Sequence, residues 1–437
     1  MSRVYRISIV AALAGFLFGF DTVVISGADQ ELQSLWNTSN LFHGSIVMSM
    51  ALWGTVIGAL TASYPCDKFG RKKTLLIIGV LFFISAIGSG LSTNPFMFSF
   101  FRFIGGIGVG SSTIAGPTYI SEIAPASKRG RLVALYQFNI VFGILVAYIS
   151  NYSLQNFGTE PWRWMIGVEA IPAFIYLLGI YNIPFSPRWL LISDKKNHSL
   201  ANQIFKKING RDLDTSEIDD IINKKYVNDK LFTFKYIKPL VLAFLISFFN
   251  QLSGINAFLY YAPRIFETAG LRTDSALLSS IGIGLVNIIF TLIGMYMIDR
   301  TGRRTLIKIG SIGYIFSLTM VGVSFLLDWK GILIPLFLFI FIASHAIGQG
   351  AVIWVFISEI FPNHLRAKGQ SFGSSIHWIL ASIITLFMPS LLSGLSNPGY
   401  IFLWFASFMV FQYLFAIYLM PETKNISLEK LSDSLSK

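Results

Sequence analysis

The sequence predicts an all-α polytopic membrane protein with twelve transmembrane helices arranged as two six-helix repeats. Three observations predict this fold class: a very apolar composition, twelve apolar runs of about 20 residues, and motifs that recur at one spacing. Hydrophobic residues make up 54% of the 437 positions and charged residues 13%, whereas soluble domains have about 25% charged residues. So few charges cannot cover the surface of a soluble fold of this size. Soluble, disordered and fibrous classes are therefore poor fits.

Each apolar run is long enough to cross a bilayer as a helix and too long for a membrane strand. A helix also satisfies its own backbone hydrogen bonds inside the hydrocarbon region. The first run follows Arg3 and Arg6 and lacks a small-residue cleavage site, so we expect a retained span rather than a removed signal peptide. The predicted spans, numbered 1 to 12 in chain order, are 7–26, 44–64, 74–91, 96–120, 132–154, 164–183, 239–262, 276–298, 305–327, 333–357, 370–395 and 400–420.

Six spans precede the longest polar segment and six follow it, and three motifs recur between the two groups. The offsets are 232, 237 and 237 residues, for 67–73 (DKFGRKK) with 299–304 (DRTGRR), 121–125 (SEIAP) with 358–362 (SEIFP), and 184–188 (PFSPR) with 421–424 (PETK). The chain is therefore predicted to be a duplicated six-helix unit. We expect an N-terminal bundle at 1–183, a cytoplasmic linker with short helices at 184–238, and a C-terminal bundle with a short cytoplasmic tail at 239–437.

The basic residues predict which side of the membrane each segment occupies. Of the 34 lysine and arginine residues, 29 lie in the two termini and in alternate segments between spans. Arg102 lies within span 4, and the opposite loops hold only Arg163, Arg264, Arg272 and Lys330. Because cytoplasmic segments are enriched in basic residues, both termini are predicted to be cytoplasmic. This distribution also accounts for the net charge of +12 without nucleic acid as a partner.

Several other site types are not predicted. Cys66 is the single cysteine, so no intramolecular disulfide can form. His345 and His377 are too isolated for a metal site, and we expect neither a metal nor a cofactor. The glycine-rich segment 105–110 fails the dinucleotide-binding pattern because Ser111 occupies its last position, and close packing of helices explains it better. No catalytic constellation appears, so an enzyme is not expected.

Asp21 and Arg102 are charged residues within predicted spans 1 and 4. A charge at the bilayer centre costs about 2.5–3.5 kcal/mol even on the lenient insertion scale, so each should have a partner or a function. One interpretation places Asp21 near the outer end of its helix, where water solvates it. The other pairs Asp21 with Arg102; because arginine stays protonated, Asp21 is then the member that exchanges a proton.

Amides at the predicted start of the second repeat indicate a polar cavity. Asn250, Gln251 and Asn256 lie in span 7, where buried amides need partners in protein, water or substrate. An unbroken helix would separate Gln251 and Asn256 by about 140°, but Gly254 offers a break that would turn both toward one cavity. The alternative for each amide is a hydrogen bond between helices.

Three aromatic residues are candidates for stacking on a ring-shaped ligand. Trp354 and Trp378 lie within spans 10 and 11, away from the interfacial belts where tryptophan collects, and Phe20 neighbours Asp21. Packing is the competing interpretation, because 15% of the chain is aromatic.

The repeated motifs also place acids and bases at the predicted cytoplasmic ends of the spans. Ion pairs between them would hold the halves together when the cavity opens outward and break when it opens inward, although exposed pairs contribute at most about 1 kcal/mol each. The general enrichment of lysine and arginine in cytoplasmic segments explains part of the excess of basic residues. It does not explain why acidic residues recur at the same offsets. The candidates for this cytoplasmic gate are Asp67, Arg71, Glu122 and Arg129 in the first half, and Asp299, Arg303, Glu359 and Arg366 in the second.

Taken together, the motifs resemble the sugar porter family of the major facilitator superfamily over essentially the whole chain. The similar segments are 19–27 (GFDTVVISG), 102–110 (RFIGGIGVG), Glu122 with 128–131 (KRGR), 186–189 (SPRW), 251–256 (QLSGIN), 260–263 (YYAP) and 421–424 (PETK). The chain looks most like the bacterial xylose/proton symporters of that family, which also includes the facilitative glucose transporters. The resemblance implies the major facilitator fold, in which a substrate site lies between the halves.

The resemblance also implies roles for individual residues. Proton symporters of the family have an acid at the position of Asp21 and an arginine at that of Arg102, whereas uniporters tend to have a neutral residue in place of the acid. Phe20, Trp354 and Trp378 match aromatic sugar-binding positions. The positions at which the family contacts sugar are Gln137, Asn250, Gln251, Asn256, Tyr260, Asn287, Gly350 and His377.

The chain departs from the family pattern at five positions. Asn250 and His377 replace glutamines, which puts the choice of sugar in doubt, and His377 adds a second titratable group. Ala351 replaces the proline that follows Gly350, Phe185 replaces an acid, and Ala367 replaces a glycine.

We therefore predict proton-coupled symport of a monosaccharide, a pentose or hexose such as xylose or glucose, across the bacterial inner membrane by alternating access. The expected partners are the sugar, protons and the lipid bilayer, with no nucleic acid and no obligate protein partner. A facilitative uniporter is the nearest alternative. A non-transporting sugar sensor is less expected, because such sensors often have long cytoplasmic tails and only 17 residues follow Met420 here.

Overall fold

The computed structural model describes residues 3–125, 128–193, 197–213, 230–329, 331–362, 365–424, 426 and 435. Lys330, part of the predicted linker (214–229) and most of the predicted tail lie outside the described residues.

The prediction of twelve membrane-crossing helices is confirmed. Two short helices, Pro187–Ser193 and His198–Asn209, follow span 6, and another, Asp29–Leu35, connects spans 1 and 2. Arg163 and Arg264 were expected in loops but lie within the helices of spans 6 and 7. The spans are Arg3–Gly27, Asn40–Thr61, Arg71–Gly90, Pro95–Ile123, Arg129–Leu154, Pro161–Asn182, Phe234–Thr268, Thr273–Thr301, Arg303–Leu326, Leu333–Ile360, Arg366–Gly394 and Gly399–Tyr418.

The repeated DxxGR motifs form equivalent tight turns. Gly70 separates the short helix Ser63–Phe69 from span 3, and Gly302 separates span 8 from span 9. Both glycines have a positive φ, +86° and +94°, which side chains disfavour. This conformation explains why glycine occurs at the same place in both motifs.

The glycine-rich segment of span 4 packs closely against span 2. A Cβ atom added at Gly106 or Gly110 would overlap the backbone of Ala51 or Thr55. Small residues that let two helix backbones approach are a common packing device in membranes. The interpretation of this segment as a helix-packing surface is thus confirmed.

Two spans are irregular where they line the centre of the molecule. Span 7 breaks after Gln251, and Gly254, with φ of +82°, precedes a new helix from Ile255 to Thr268. Span 7 therefore runs further than the predicted 239–262 at both ends. Span 10 has a π-helical turn at Ala346–Gly350, a feature often found at functional sites.

The two ends of the bundle differ. We call the end at which Gly70 and Gly302 lie the basic face, because most of the basic segments lie there, and the other end the opposite face. Toward the opposite face, the halves approach closely. The Tyr148 hydroxyl of span 5 donates to the Leu259 carbonyl of span 7 at 2.9 Å, and Gly44 of span 2 lies against the Leu386 backbone of span 11.

Candidate functional site

Asp21 and Arg102 form a buried ion pair between spans 1 and 4. Arg102 donates to Asp21 Oδ1 at 2.5 Å and to the Asp21 carbonyl at 2.9 Å, and each side chain is 1% exposed. The predicted pairing is therefore present, and the interpretation that water solvates Asp21 is wrong. Within the described residues, Asp21 Oδ2 has no hydrogen-bond partner.

Glu169 of span 6 is a second buried acid at this pair, and the sequence analysis missed it. Its residue is fully buried, and its carboxyl group interacts electrostatically with both Asp21 and Arg102. Its carboxyl group lies within hydrogen-bond reach of that of Asp21. When both acids are ionised, neither Glu169 oxygen has a hydrogen-bond donor among the described residues. An acid within a predicted span was the signal available, since the same criterion singled out Asp21. Two carboxyl groups thus face one guanidinium, and a proton shared between the acids would balance the charges.

The amides of span 7 converge on one another across the helix break. Asn256 donates to Gln251 Oε1 at 2.9 Å, so the break at Gly254 does turn both side chains to one place. Gln251 in turn donates to Asn250 Oδ1 at 2.9 Å and lies 3.1 Å from ring nitrogens of His377 on span 11. Hydrogen bonding between helices, the alternative for these amides, is therefore also present.

A buried relay of amides behind Asn250 was not predicted. Asn250 lies 3.5 Å from Gln349 Oε1, and Gln349 donates to Gln412 Oε1 at 2.9 Å. Gln412 donates to the Ser311 hydroxyl at 2.8 Å. These three added residues lie on spans 10, 12 and 9, so the relay fixes Asn250 against three helices. Gln349 and Gln412 are apparent in the sequence only as polar residues in apolar spans.

The candidate aromatic residues surround His377. Its ring centroid lies 5.1 Å from that of Trp354 and 4.6 Å from that of Trp378. Trp378 also packs edge-on against Phe18, at 5.6 Å. Phe20 is buried and packs against Phe16 instead, at 6.0 Å. Phe18 is therefore the span 1 ring in contact with this cluster.

The remaining candidates lie outside the hydrogen-bonded amide cluster. Tyr260, on span 7, is buried and interacts electrostatically with both Asp21 and Arg102. Asn287, on span 8, accepts a bond from Thr291 at 3.4 Å. Gln137 lies half-buried on span 5, and Gly350 ends the π-helical turn of span 10.

At the basic face, the repeated motifs form matching ion clusters within each half. Arg71 donates to Glu122 at 2.9 Å, and Glu122 accepts from the Ser186 hydroxyl at 2.5 Å. In the second half, Arg303 donates to Glu359 at 2.8 Å, and Glu359 accepts from the Thr423 hydroxyl at 2.5 Å.

The other candidate gate residues extend these clusters. Asp67 and Asp299 are exposed and pair with Arg71 and Arg303 four residues later. Arg129 is half-buried, and Arg366 donates to the Ser358 carbonyl at 2.8 Å. The ion pairs seen among these described residues lie within one half, whereas the sequence analysis expected pairs between the halves. The close approach of the halves toward the opposite face accounts for the difference, because that face is closed in this conformation.

Comparison with known proteins gives consistent matches over the chain. A family model described as "Sugar (and other) transporter" matches residues 7–435. The chain is 35% identical over 443 residues to the arabinose-proton symporter of Bacillus subtilis, covering 99% of this chain and 95% of that protein. It is also 35% identical over 471 residues to the D-xylose-proton symporter of Escherichia coli, covering 98% and 95% of the two chains.

Two solved structures also match this chain over nearly its whole length. The inward-open conformation of the Escherichia coli xylose transporter has a TM-score of 0.87 at 33% identity, with 99% of each chain covered. The proton:xylose symporter bound to 6-bromo-6-deoxy-D-glucose has a TM-score of 0.83 at 34% identity, again with 99% of each chain covered.

Proposed function

The chain belongs to the sugar transporter family of the major facilitator superfamily, and from this premise we propose that it couples proton entry to uptake of a monosaccharide by alternating access. The observation that carries the proposal is the buried group of Asp21, Glu169 and Arg102 next to an amide-lined centre. Pentoses and hexoses such as xylose, arabinose and glucose are the proposed substrates. No cofactor, catalysed reaction or obligate protein partner is part of the proposal.

The proton is proposed to bind at the two acids. Arg102 stays charged and balances one carboxylate, so the second acid is stable in a buried site when a proton is bound. Uptake of that proton lets the first half reorganise around Arg102, because fewer negative charges then hold the guanidinium in place. Asp21 and Glu169 share the proton as a coupled pair.

The sugar is proposed to bind between the amide cluster of span 7 and the separate amides of spans 5 and 8. Gln251 and Asn256 of the cluster, and Asn287 and Gln137 outside it, each offer both donors and an acceptor, which suits neighbouring hydroxyl groups on a sugar. Trp354 and Trp378 offer aromatic faces to the C–H surface of the ring.

Tyr260 is proposed to connect the two sites. It belongs to span 7, nine residues beyond Gln251, yet it interacts with the Asp21–Arg102 pair of the first half. Movement of span 7 on sugar binding therefore changes the surroundings of the proton site. Coupling between two ligands requires such differential contacts.

We infer that the basic face is cytoplasmic, as the excess of basic residues favours, and that both termini lie there. The two six-helix halves, 1–183 and 239–437, would then rock about the central site, with 184–238 as the cytoplasmic linker. The ion clusters confined to each half at the basic face, together with the similarity to an inward-open transporter, support an inward-facing conformation.

The energetics are sufficient for accumulation. One proton crossing 100 mV contributes about 2.3 kcal/mol. At about 1.4 kcal/mol per decade, this supports more than tenfold accumulation of a neutral sugar.

The test is uptake of labelled xylose, arabinose and glucose by proteoliposomes, with and without an inward proton gradient. The wild type should accumulate at least one sugar only with the gradient, and Asp21→Asn should equilibrate sugar without accumulating it. Asp212→Asn, at an exposed linker position, is the matched control and should behave as wild type.

Other outcomes would select the alternatives. Uptake unaffected by both the gradient and Asp21→Asn would contradict symport and indicate a uniporter. Absence of counterflow with all three sugars would contradict transport of these sugars and favour a sensor.

A further inference from the structure

Three ionisable side chains meet at the opposite face, away from the proposed proton and sugar sites. Asp29 lies on the short helix after span 1, His43 on the first turns of span 2, and Arg264 near the end of span 7. His43 Nε2 lies 2.8 Å from Asp29 Oδ1, and Arg264 Nε lies 2.6 Å from Asp29 Oδ2. Their side chains are 1%, 0% and 12% exposed respectively.

The contact joins the two halves of the molecule. Asp29 and His43 belong to the first half and Arg264 to the second, and Arg264 also donates to Gln33 of the first half at 2.6 Å. Two further side-chain hydrogen bonds between the halves flank it, namely Gln30 with Glu267 at 2.5 Å and Asn40 with Ser393 at 2.6 Å. The ion clusters of the basic face lie within single halves, so this is a different kind of contact. Separating the halves at the opposite face must break it.

We propose that Asp29, His43 and Arg264 form a proton-responsive latch on the outer mouth of the transporter, which opens when His43 takes up a proton. The direction, outer rather than inner, rests on the proposed function and its assignment of the basic face to the cytoplasm. The site is separate from Asp21 and Glu169, so it adds a second place at which protons act on the conformational equilibrium.

The hydrogen bonds show how neutral His43 fits the closed latch. With its proton on Nε2, His43 donates to Asp29, while Nδ1 accepts from the Thr38 hydroxyl at 3.4 Å. In this state the charges of Asp29 and Arg264 balance. A proton added to His43 leaves one uncompensated positive charge in a site that water does not reach, and burying such a charge is unfavourable. Opening hydrates all three groups, so protonation favours the open state.

Among the described residues, no negatively charged group other than Asp29 pairs with His43. Tyr261, beneath Arg264, interacts with Asp29 and Arg264 and is neutral near pH 7. Glu267 accepts a hydrogen bond from Gln30, and Glu31, whose pKa is raised chiefly by burial, interacts with Glu160 and the Trp162 backbone.

The helices packed on span 2 also lack such a charge. In span 11, residues 378–394 include no ionisable side chain. In span 4, Arg102 is already paired with Asp21, and Tyr119 and Glu122 lie toward the basic face, where they bind Pro184 and Arg71. His43 is thus the group whose protonation changes the charge of the latch near neutral pH.

The consequence is a transporter whose outer mouth opens more readily in acid. A low pH outside shifts the population toward the state that presents the proton site to the proton-rich side. Ligands, including protons, shift a conformational equilibrium by their differential affinity for the two states.

The latch is tested without sugar or transport, by distances between spin labels on reconstituted full-length protein. Labels on Leu35→Cys, half exposed on the first half, and Thr273→Cys, exposed on the second, report the width of the outer mouth. Cys66 does not compete for the label, because burial raises the pKa of its thiol to about 11. Between about pH 8 and about pH 5.5, which brackets the usual histidine range, the open fraction should rise.

Three variants decide whether the latch is responsible. His43→Gln keeps a donor for Asp29 but cannot titrate, so it should lose most of the pH response. Arg264→Gln removes the bond between the halves and should raise the ratio of open to closed protein about tenfold or more at every pH. Arg272→Gln, an exposed arginine at the same face, is the matched control and should behave as the labelled wild type.

Three results would overturn the proposal: a full pH response in His43→Gln, opening that decreases in acid, or an Arg264→Gln variant no more open than Arg272→Gln. Because this readout needs no sugar movement, it stands or falls separately from the proposed transport. A protein that fails the uptake test can still show the latch, and an active transporter can lack it.

Discussion

The two halves of the molecule are built from one repeat but have different buried centres. The first half holds charges: Asp21, Glu169 and Arg102 lie together, buried from solvent. The second half holds neutral amides, with Gln251 and Asn256 joined across a broken helix. Carboxylates can bind protons, whereas amides form hydrogen bonds with hydroxyl groups. The comparison teaches that duplication allowed each half to specialise, so that coupling must cross the interface between them.

The basic face shows where the halves remained alike. In both, an arginine binds a glutamate that also accepts from a hydroxyl group, as Arg71 and Glu122 do with Ser186. These clusters fix the ends of helices, which both halves need equally. Divergence is therefore concentrated at the centre, where the ligands differ, and similarity at the ends, where the structural requirement is the same.

The largest effect should come from breaking the charged centre. Arg102→Met leaves two buried acids without a cation, and removal of one partner of a buried ion pair typically costs about 3–5 kcal/mol. We expect a large decrease in the thermal unfolding temperature of the purified protein in detergent. Gln251→Leu, at the amide centre, should cost less, because unsatisfied neutral groups cost about 1–3 kcal/mol.

The proposed difference between the two centres would be contradicted if Gln251→Leu proved as destabilising as Arg102→Met. The double variant Asp21→Asn with Arg102→Met removes both charges of the pair and should recover much of the lost stability. Failure to recover would show that shape rather than charge holds the first half together.

The second prediction concerns Glu169, the acid that shares the buried site with Asp21. Glu169→Gln keeps the shape of the side chain but removes one proton-binding group, so the more than tenfold accumulation that 100 mV supports should fall to simple equilibration. Counterflow of sugar should persist, because the amide centre is unchanged. Glu160→Gln, an exposed acid just before span 6, is the control. Undiminished accumulation would leave Asp21 alone as the proton site.

The third prediction addresses the amide centre. Gln251→Leu leaves Asn256 and Asn250 without their partner and removes contacts available to a sugar. Loss of about 1–3 kcal/mol corresponds to roughly 5- to 150-fold weaker sugar binding, measured by titration calorimetry. Proton uptake on sugar-free protein should be preserved. A loss of both properties would show that the two centres are not specialised in the way the comparison suggests.

Local patterns in the sequence predicted the helices, the repeat and the pairing of Asp21 with Arg102, because each is encoded by composition or by spacing along the chain. Glu169 was equally visible, as an acid within a predicted span, and was overlooked. Contacts between distant helices had no comparable signal. Arg264 seemed to be a loop residue because the apolar run ends before it, yet span 7 continues to Thr268. Its meeting with Asp29 depends on how the halves pack.

The fourth prediction tests whether the relay behind Asn250 positions the amide centre. Gln412→Leu would leave Gln349 and Ser311 without their partner, though neither is proposed to touch sugar. We expect KM to rise about three- to tenfold, as for loss of one buried hydrogen bond of about 1 kcal/mol, with kcat unchanged and the preference between xylose and glucose altered. Gln412→Asn, which keeps the amide, should recover part of the effect. An unchanged sugar preference would indicate that the relay contributes to packing and does not position the amide centre.

The smallest effect is expected where the two basic ends differ. Glu422 accepts from the backbone N–H groups of Arg303 and Arg304 at 3.0 and 3.1 Å, so it caps span 9. The equivalent Phe185 cannot cap span 3, and its ring instead lies 5.1 Å from the Lys72 ammonium group. Loss of a cap costs about 0.5–2 kcal/mol, so Glu422→Phe should lower the unfolding temperature modestly.

The reciprocal change should have almost no effect on stability. Phe185→Glu loses a cation–π contact between two half-buried side chains, Phe185 and Lys72, of about 0.5–1 kcal/mol. It gains a negative charge at a helix N-terminus, which contributes about 0.3–1 kcal/mol. The two contributions offset each other, so the unfolding temperatures of Phe185→Glu and wild type should agree closely. A large decrease would mean that the first half depends on Phe185 in a way that the second half does not depend on Glu422, and the ends would then be as specialised as the centres.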